Sequence, residues 1–65
     1  MELPIRLDQY LKYVGLAQTG GHAKYLISEG LILVNDAVEH KRGKKLYEGD
    51  KVSYEDQVWV VSKKD

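Results

Sequence analysis

Basic residues form a tight cluster in the second half of the chain. Lys41, Arg42, Lys44 and Lys45 lie within five consecutive positions. Such side chains can contact phosphate groups, and an arginine can bind one phosphate through two parallel hydrogen bonds. The alternative is a solvated charged loop that protects a sheet edge against aggregation. The cluster therefore indicates either a polyanion-binding surface or a plain surface loop.

A second candidate site is the turn Thr19-Gly20-Gly21, followed by His22. Thr19 is a typical N-cap residue, and the N–H groups at a helix start attract phosphate. Two glycines would let a nucleic-acid backbone approach closely, and His22 could donate a hydrogen bond there. The alternative is a capped helix that needs glycine only for a tight turn. The turn lacks the Gly-Lys-Ser/Thr ending and the dinucleotide fingerprint, so it is not a nucleotide-binding loop.

Two single basic residues accompany the helix starts. Arg6 precedes the first helix, and Lys24 lies five positions after Thr19. Each is a candidate phosphate contact, although Arg6 can instead pair with Asp8, which we expect in the first turn of a helix. The whole chain carries 10 basic and 10 acidic residues. A positive face would therefore be local.

The sequence gives no support for catalysis. It has 65 residues and no cysteine, so a deep substrate cavity and a thiol or Cys-based zinc site are not expected. His22 and His40 do not match a metal-ligand spacing, and Ser28, Ser53 and Ser62 suggest no catalytic triad. We expect no enzyme activity, no metal, no cofactor and no small-molecule substrate.

Aromatic residues have two readings. Tyr10 and Tyr54 follow the apolar periodicity and are expected in the core, and Trp59 is expected to cover the sheet. Tyr13 and Tyr25 fall outside the apolar stripes, so they are candidates for stacking with unpaired bases.

The periodicity predicts two helices followed by a β-meander. Residues 7–14 form the first helix, which Gly15 ends, and the second runs from its N-cap at Thr19 to Gly30. Strands are predicted at residues 31–34, 37–39, 52–54 and 58–61, with turns at Asn35-Asp36 and Gly49-Asp50 and a loop or strand edge at 40–45. The fold class is α+β, with two short N-terminal helices packed on a small, mostly antiparallel β-sheet.

The ordered residues resemble a known family. They are Arg6-Leu7-Asp8, Leu11, Gly15, Thr19, Ala23, Leu26-Ile27, Gly30, Val34-Asn35 and Gly49-Asp50. This set resembles the ribosomal-protein-S-four-like RNA-binding domain, also called the alpha-L motif, over roughly residues 5–54. We expect residues 1–65 to form a single domain of this type. Two positions depart from the family pattern: Ser-Arg is Thr19-Gly20 here, and Asn-Gly is Asn35-Asp36. The segment from Thr19 to Lys24 and the later run from Arg42 to Leu46 also resemble a stand-alone bacterial branch of the family. In that branch, Lys24 and the segment 42–45 would supply the charge that Gly20 lacks.

The resemblance implies non-catalytic binding of structured RNA, with ribosomal RNA or a ribosomal particle as the target. The alternative function is a protein–protein interaction module, which the neutral net charge favours. No apolar run is long enough to cross a membrane, and we expect a cytoplasmic protein. The expected RNA-binding residues are Arg6, Thr19, Gly20, Gly21, His22, Lys24, Asn35, Lys41, Arg42, Lys44 and Lys45.

Overall fold

The computed structural model describes residues 1–63 and shows two short helices. Helix α1 spans Leu7–Tyr13 and is followed by Gly15, whose φ of 83° is left-handed. Helix α2 spans Gly20–Ser28, and the left-handed Gly30 follows it. The predicted helices are confirmed to within a residue or two. Both end just before a left-handed glycine, because glycine adopts this conformation without a steric penalty.

A four-stranded antiparallel sheet follows the helices. It contains β2 (Leu33–Val34), β3 (Ala37–Val38), β5 (Lys51–Tyr54) and β6 (Gln57–Val60), in the order β3-β2-β5-β6. The β2–β3 turn is formed by Asn35 and Asp36, with φ values of 52° and 71°. Positive φ at both positions gives the type I′ geometry that matches the twist of paired strands.

Two further strands form a separate pair. Strand β1 (Ile5–Arg6) pairs antiparallel with β4 (Lys45–Leu46), with Ile5 opposite Leu46 and Arg6 opposite Lys45. The prediction of a simple meander was wrong in detail, because β5 pairs with β2 instead of β3, and β4 pairs with the residues before α1. A two-residue strand is too short to show an alternating pattern, so β1 could not be recognised from periodicity.

The core lies between the helices and the sheets. It contains Tyr10, which is 2% exposed, together with apolar residues from both helices, from β2, β4 and β5, and from the segments between them. Its members are Leu7, Tyr10, Leu11, Ala17, Ala23, Leu26, Ile27, Ile32, Val34, Leu46, Val52 and Val61. Tyr54, which was expected in the core, is only half-buried and packs against this cluster, as does the half-buried Trp59. The α+β fold class is confirmed.

Candidate nucleic-acid interface

The pairing of β1 with β4 places two basic side chains side by side. Residues directly opposite each other in an antiparallel pair project from the same face. Leu46 is fully buried and Ile5 half-buried, so Arg6 and Lys45 both project outward, and both are exposed. Like charges directly opposite one another destabilise a sheet. The stability of the β1–β4 pair therefore does not explain why both of these positions carry a cation.

The rest of the basic cluster is fastened to the start of α1. The backbone N–H of Leu7 donates to the carbonyl of Lys44 at 2.8 Å, and that of Asp8 donates to the carbonyl of Arg42 at 3.1 Å. A turn is closed where Lys44 N–H donates to the carbonyl of Lys41 at 3.1 Å. The four basic side chains of residues 41–45 are exposed. The chain thus fixes the backbone of this cluster while its charges face solvent.

Acidic groups reduce the positive charge of this surface. Arg6 Nη2 donates to Asp8 Oδ2 at 2.8 Å, and the two side chains are 49% and 13% exposed. Asp8 Oδ1 also accepts from the N–H of Gln9 at 2.8 Å. A guanidinium has five N–H donors, so the contact with Asp8 still leaves donors that can reach a ligand. Glu39 Oε2 accepts from the N–H of Lys41 at 3.2 Å.

The start of α2 is capped as the sequence predicts. Thr19 Oγ1 accepts from the N–H of His22 at 3.0 Å, and His22 Nδ1 accepts from the N–H of Gln18 at 3.4 Å. Because Nδ1 acts as an acceptor, a neutral His22 carries its proton on Nε2. The bond from Gln18 N–H therefore orients the imidazole, and Nε2–H is the group that could donate to a ligand.

Neither glycine at this helix start is required by the protein's own packing. Gly20 and Gly21 do not have positive φ values. A Cβ added at Gly20 would meet nothing within 4 Å, and one at Gly21 would lie 3.9 Å from Thr19 Oγ1. The tight-turn explanation does not account for them. The space beside them is open to an approaching backbone.

The start of α2 is not bonded to the basic cluster in the described part of the chain. Lys24 is exposed on α2. Within residues 1–63, no hydrogen bond or ion pair links the segment 19–24 to Arg6 or to residues 41–45. The β1–β4 pair joins Arg6 to the basic cluster, whereas among the same residues no bond ties Lys24 to either of them.

The side chain of Asn35 makes two hydrogen bonds that the sequence pattern does not predict. Its Nδ2 donates to Asp50 Oδ1 at 3.2 Å, and its Oδ1 accepts from the N–H of Lys51 at 3.0 Å. Its own N–H donates to the carbonyl of Lys51 at 2.8 Å. Asn35 therefore fastens the β2–β3 turn to the start of β5. Its contact with RNA stays a prediction.

Exposed aromatic side chains lie on both helices. Tyr13 and Tyr25 are 47% and 58% exposed, which confirms the expectation from their spacing. The Tyr13 ring stacks on that of buried Tyr10, with centroids 6.3 Å apart and planes at 25°. Tyr47 is also exposed, although the sequence did not single it out. Tyr47 directly follows the buried Leu46 of β4, and neighbouring residues of a strand face opposite sides. Knowledge of the β1–β4 pairing would therefore have predicted the exposure of Tyr47.

A surface depression lies between the N-terminal residues and the segment that follows β4. Its lining residues are Met1, Glu2, Leu3, Tyr47, Glu48 and Lys63. Among residues 1–63, no three or more His, Asp or Glu side chains are grouped so as to hold a metal ion. In the same part of the chain, neither helix is long and apolar enough to cross a membrane.

Comparison with known proteins agrees with the fold. The model of the S4 domain family matches residues 2–62. A probable ribosome maturation protein, RlbA of Bacillus subtilis (strain 168), is 49% identical over 51 residues, which cover 78% of this chain and 72% of that protein. The family match spans nearly the whole described chain, including both helices and both sheets. The chain therefore belongs to the S4 domain family.

Proposed function

We propose that the chain binds structured RNA without catalysing a reaction, through a basic strip made of Arg6, Lys41, Arg42, Lys44 and Lys45. The observation that carries this proposal is the position of Arg6 opposite Lys45 in the β1–β4 pair. Two cations that are distant in sequence stand on one face there. The phosphates of an RNA backbone are the ligand that such a face would attract.

Rigidity supports this reading of the basic strip. Its backbone is held by two hydrogen bonds from the first turn of α1 and by the β1–β4 pair. Because folding has already fixed this backbone, binding RNA costs less conformational entropy than it would for a flexible loop. Recognition would then depend on the shape and the phosphates of a folded RNA rather than on reading base edges.

The start of α2 would be a second contact region for the same RNA. Thr19, Gly20 and Gly21 leave room for a phosphate backbone, and His22 and Lys24 add donors beside it. The N–H groups of a helix start favour an anion. In α1, by contrast, the carbonyls of Arg42 and Lys44 already engage the first turn, so α2 is the helix start that we assign to RNA.

The proposed target is ribosomal RNA or a ribosomal particle. Support comes from the family match and from the similarity to a probable ribosome maturation protein. Such a target implies a cytoplasmic site of action. The absence of cysteine and of a plausible Ser-His-acid set in the sequence supports a binding role rather than a catalytic one.

Equilibrium binding to labelled ribosomal RNA fragments tests the proposal with a matched pair of variants. Lys45→Ala removes a cation from the basic strip, whereas Lys51→Ala removes an exposed cation from the four-stranded sheet. We expect Lys45→Ala to bind RNA several-fold more weakly and to lower the salt dependence by about one unit. Lys51→Ala should bind like the wild type. Equal affinity for all three proteins would overturn the assignment and favour a protein partner.

A further inference from the structure

Arg6 is held differently from the other cations of the basic strip. Its Nη2 donates to Asp8 Oδ2 at 2.8 Å. Within residues 1–63, the side chains of the other four cations make no hydrogen bond and no ion pair. A long basic side chain loses rotamer freedom when a ligand fixes it. Arg6 has lost part of that freedom before any ligand arrives.

The carboxylate that holds Arg6 is itself fixed. The Asp8 side chain is only 13% exposed, and its Oδ1 accepts from the N–H of Gln9 at 2.8 Å. The backbone N–H of Asp8 donates to the carbonyl of Arg42 at 3.1 Å. Asp8 is therefore tied both to the first turn of α1 and to the backbone of the basic segment. It sets the place of the Arg6 guanidinium relative to the rest of the basic strip.

The contact with Asp8 leaves a complete phosphate-binding fork on Arg6. A guanidinium has five N–H donors in one plane, and the bond to Asp8 uses one of the two Nη2 hydrogens. Whichever hydrogen is used, the other lies parallel to an N–H of either Nε or Nη1. Two parallel N–H groups are what a phosphate needs for a bidentate contact. Asp8 therefore orients the guanidinium without blocking it.

The same acid opposes the binding of phosphate in general. A carboxylate beside the basic strip repels any polyanion and lowers the local positive charge. The side chain of Lys45, by contrast, is a point charge on a flexible stem, so it can follow a phosphate over a range of positions. A fixed guanidinium fork fits only a phosphate that lies in one place. A folded RNA holds its phosphates in fixed places, whereas a flexible strand does not.

We propose that Asp8 is a positioning residue that makes the basic strip selective for folded RNA, because it holds the Arg6 guanidinium ready for one phosphate. This proposal rests on the proposed function, since the strip must bind RNA for Arg6 to be used. Asp8 weakens the attraction to flexible polyanions and strengthens binding to an RNA whose shape places a phosphate at the Arg6 fork. A purely structural role, as the acid in the first turn of α1, gives no such selectivity.

Arginine side-chain nitrogen NMR of the free protein tests the positioning step without RNA. The chain has only two arginines, and Arg42 is the internal control, because its side chain is exposed and, among residues 1–63, unbonded. We expect the guanidinium of Arg6 to rotate about its Cζ–Nε bond several-fold more slowly than that of Arg42. In Asp8→Asn the two should rotate at similar rates. Equal rotation in the wild type would overturn the proposal.

A matched pair of neutral variants tests the selectivity. Asp8→Asn and Glu39→Gln each remove one carboxylate charge near the basic strip. Glu39 accepts from the N–H of Lys41 at 3.2 Å but, within the described residues, contacts no basic side chain. The probes are labelled ribosomal RNA fragments and flexible polyuridylate. We expect Asp8→Asn to bind the fragments several-fold more weakly and polyuridylate more tightly, whereas Glu39→Gln should bind both probes more tightly.

The Arg6→Ala background separates positioning from damage to the fold. In that background Asp8→Asn should tighten the binding of both probes, because no fork remains to be positioned. A loss of fragment affinity in both backgrounds, or tighter fragment binding by Asp8→Asn alone, would overturn the proposal. If Lys45→Ala weakens fragment binding but Asp8→Asn does not, the proposed function stands and the positioning role fails. A wild type that does not bind the fragments would refute both.

Discussion

Arg6 lies directly opposite Lys45 across the β1–β4 pair, with both side chains exposed, while their neighbours Ile5 and Leu46 turn toward the core. The contact between Arg6 and Asp8 at 2.8 Å offsets part of the repulsion between the two cations. Because the alternation of a strand fixes which side chains point outward, burial of Leu46 is what holds Lys45 in the basic strip.

The Arg6–Asp8 contact should stabilise the protein modestly. Asp8→Asn removes the ion pair and the acidic residue of the first turn of α1, so we expect a loss of about 1 kcal/mol in the free energy of unfolding. Urea denaturation of Asp8→Asn, Arg6→Ala and the double variant measures it. The cost of Asp8→Asn should be smaller in the Arg6→Ala background. An equal cost in both backgrounds would show that the two side chains are not coupled.

The cap of α2 can be tested with a pair of substitutions at Thr19. Thr19→Ala removes the acceptor for the N–H of His22 and should lower the free energy of unfolding by about 1 kcal/mol. Thr19→Ser keeps a hydroxyl at the same place and should stay close to the wild type. Thermal or urea denaturation of the three proteins decides the matter, and equal losses for alanine and serine would contradict the capping role.

The β2–β3 turn should gain stability from glycine. Asp36 holds a φ of 71°, which costs an ordinary L-residue free energy that glycine does not incur. Its ion pair with Lys51 at 3.8 Å is exposed and is worth little. Asp36→Gly should raise the free energy of unfolding by about 0.5–1 kcal/mol. Asp36→Ala loses the same ion pair without relieving the backbone, so it should destabilise the turn. The reverse order of the two variants would refute this explanation.

The sequence predicted those elements whose cause is local. Gly15 and Gly30 end the helices, Thr19 caps α2, and Asn35-Asp36 forms the turn, because each depends on conformations that few residue types adopt readily. The β1–β4 pair could not be predicted, since it joins two-residue strands whose paired residues lie 39 and 41 positions apart in the chain. The pairing of β1 with β4 depends on the tertiary packing around Leu46 in the core.

The candidate site divides in the same way. The exposure of the basic segment follows from its composition, but the position of Arg6 beside Lys45 depends on the unforeseen strand pair. Asn35 illustrates the converse. Its place in a family-like motif made it a candidate RNA contact, whereas the structure occupies both ends of its amide with Asp50 and the backbone of Lys51. A side-chain network that spans 15 or 16 positions leaves no local trace in the sequence.

The salt dependence of RNA binding tests the central claim most directly. Labelled ribosomal RNA fragments would be titrated at several salt concentrations with the wild type and with a variant in which Lys41, Arg42, Lys44 and Lys45 are all alanine. The account predicts that wild-type affinity falls steeply with salt, and that the variant loses affinity and up to about three units of the slope of log affinity against log salt. Equal affinities and equal slopes for the two proteins would contradict it.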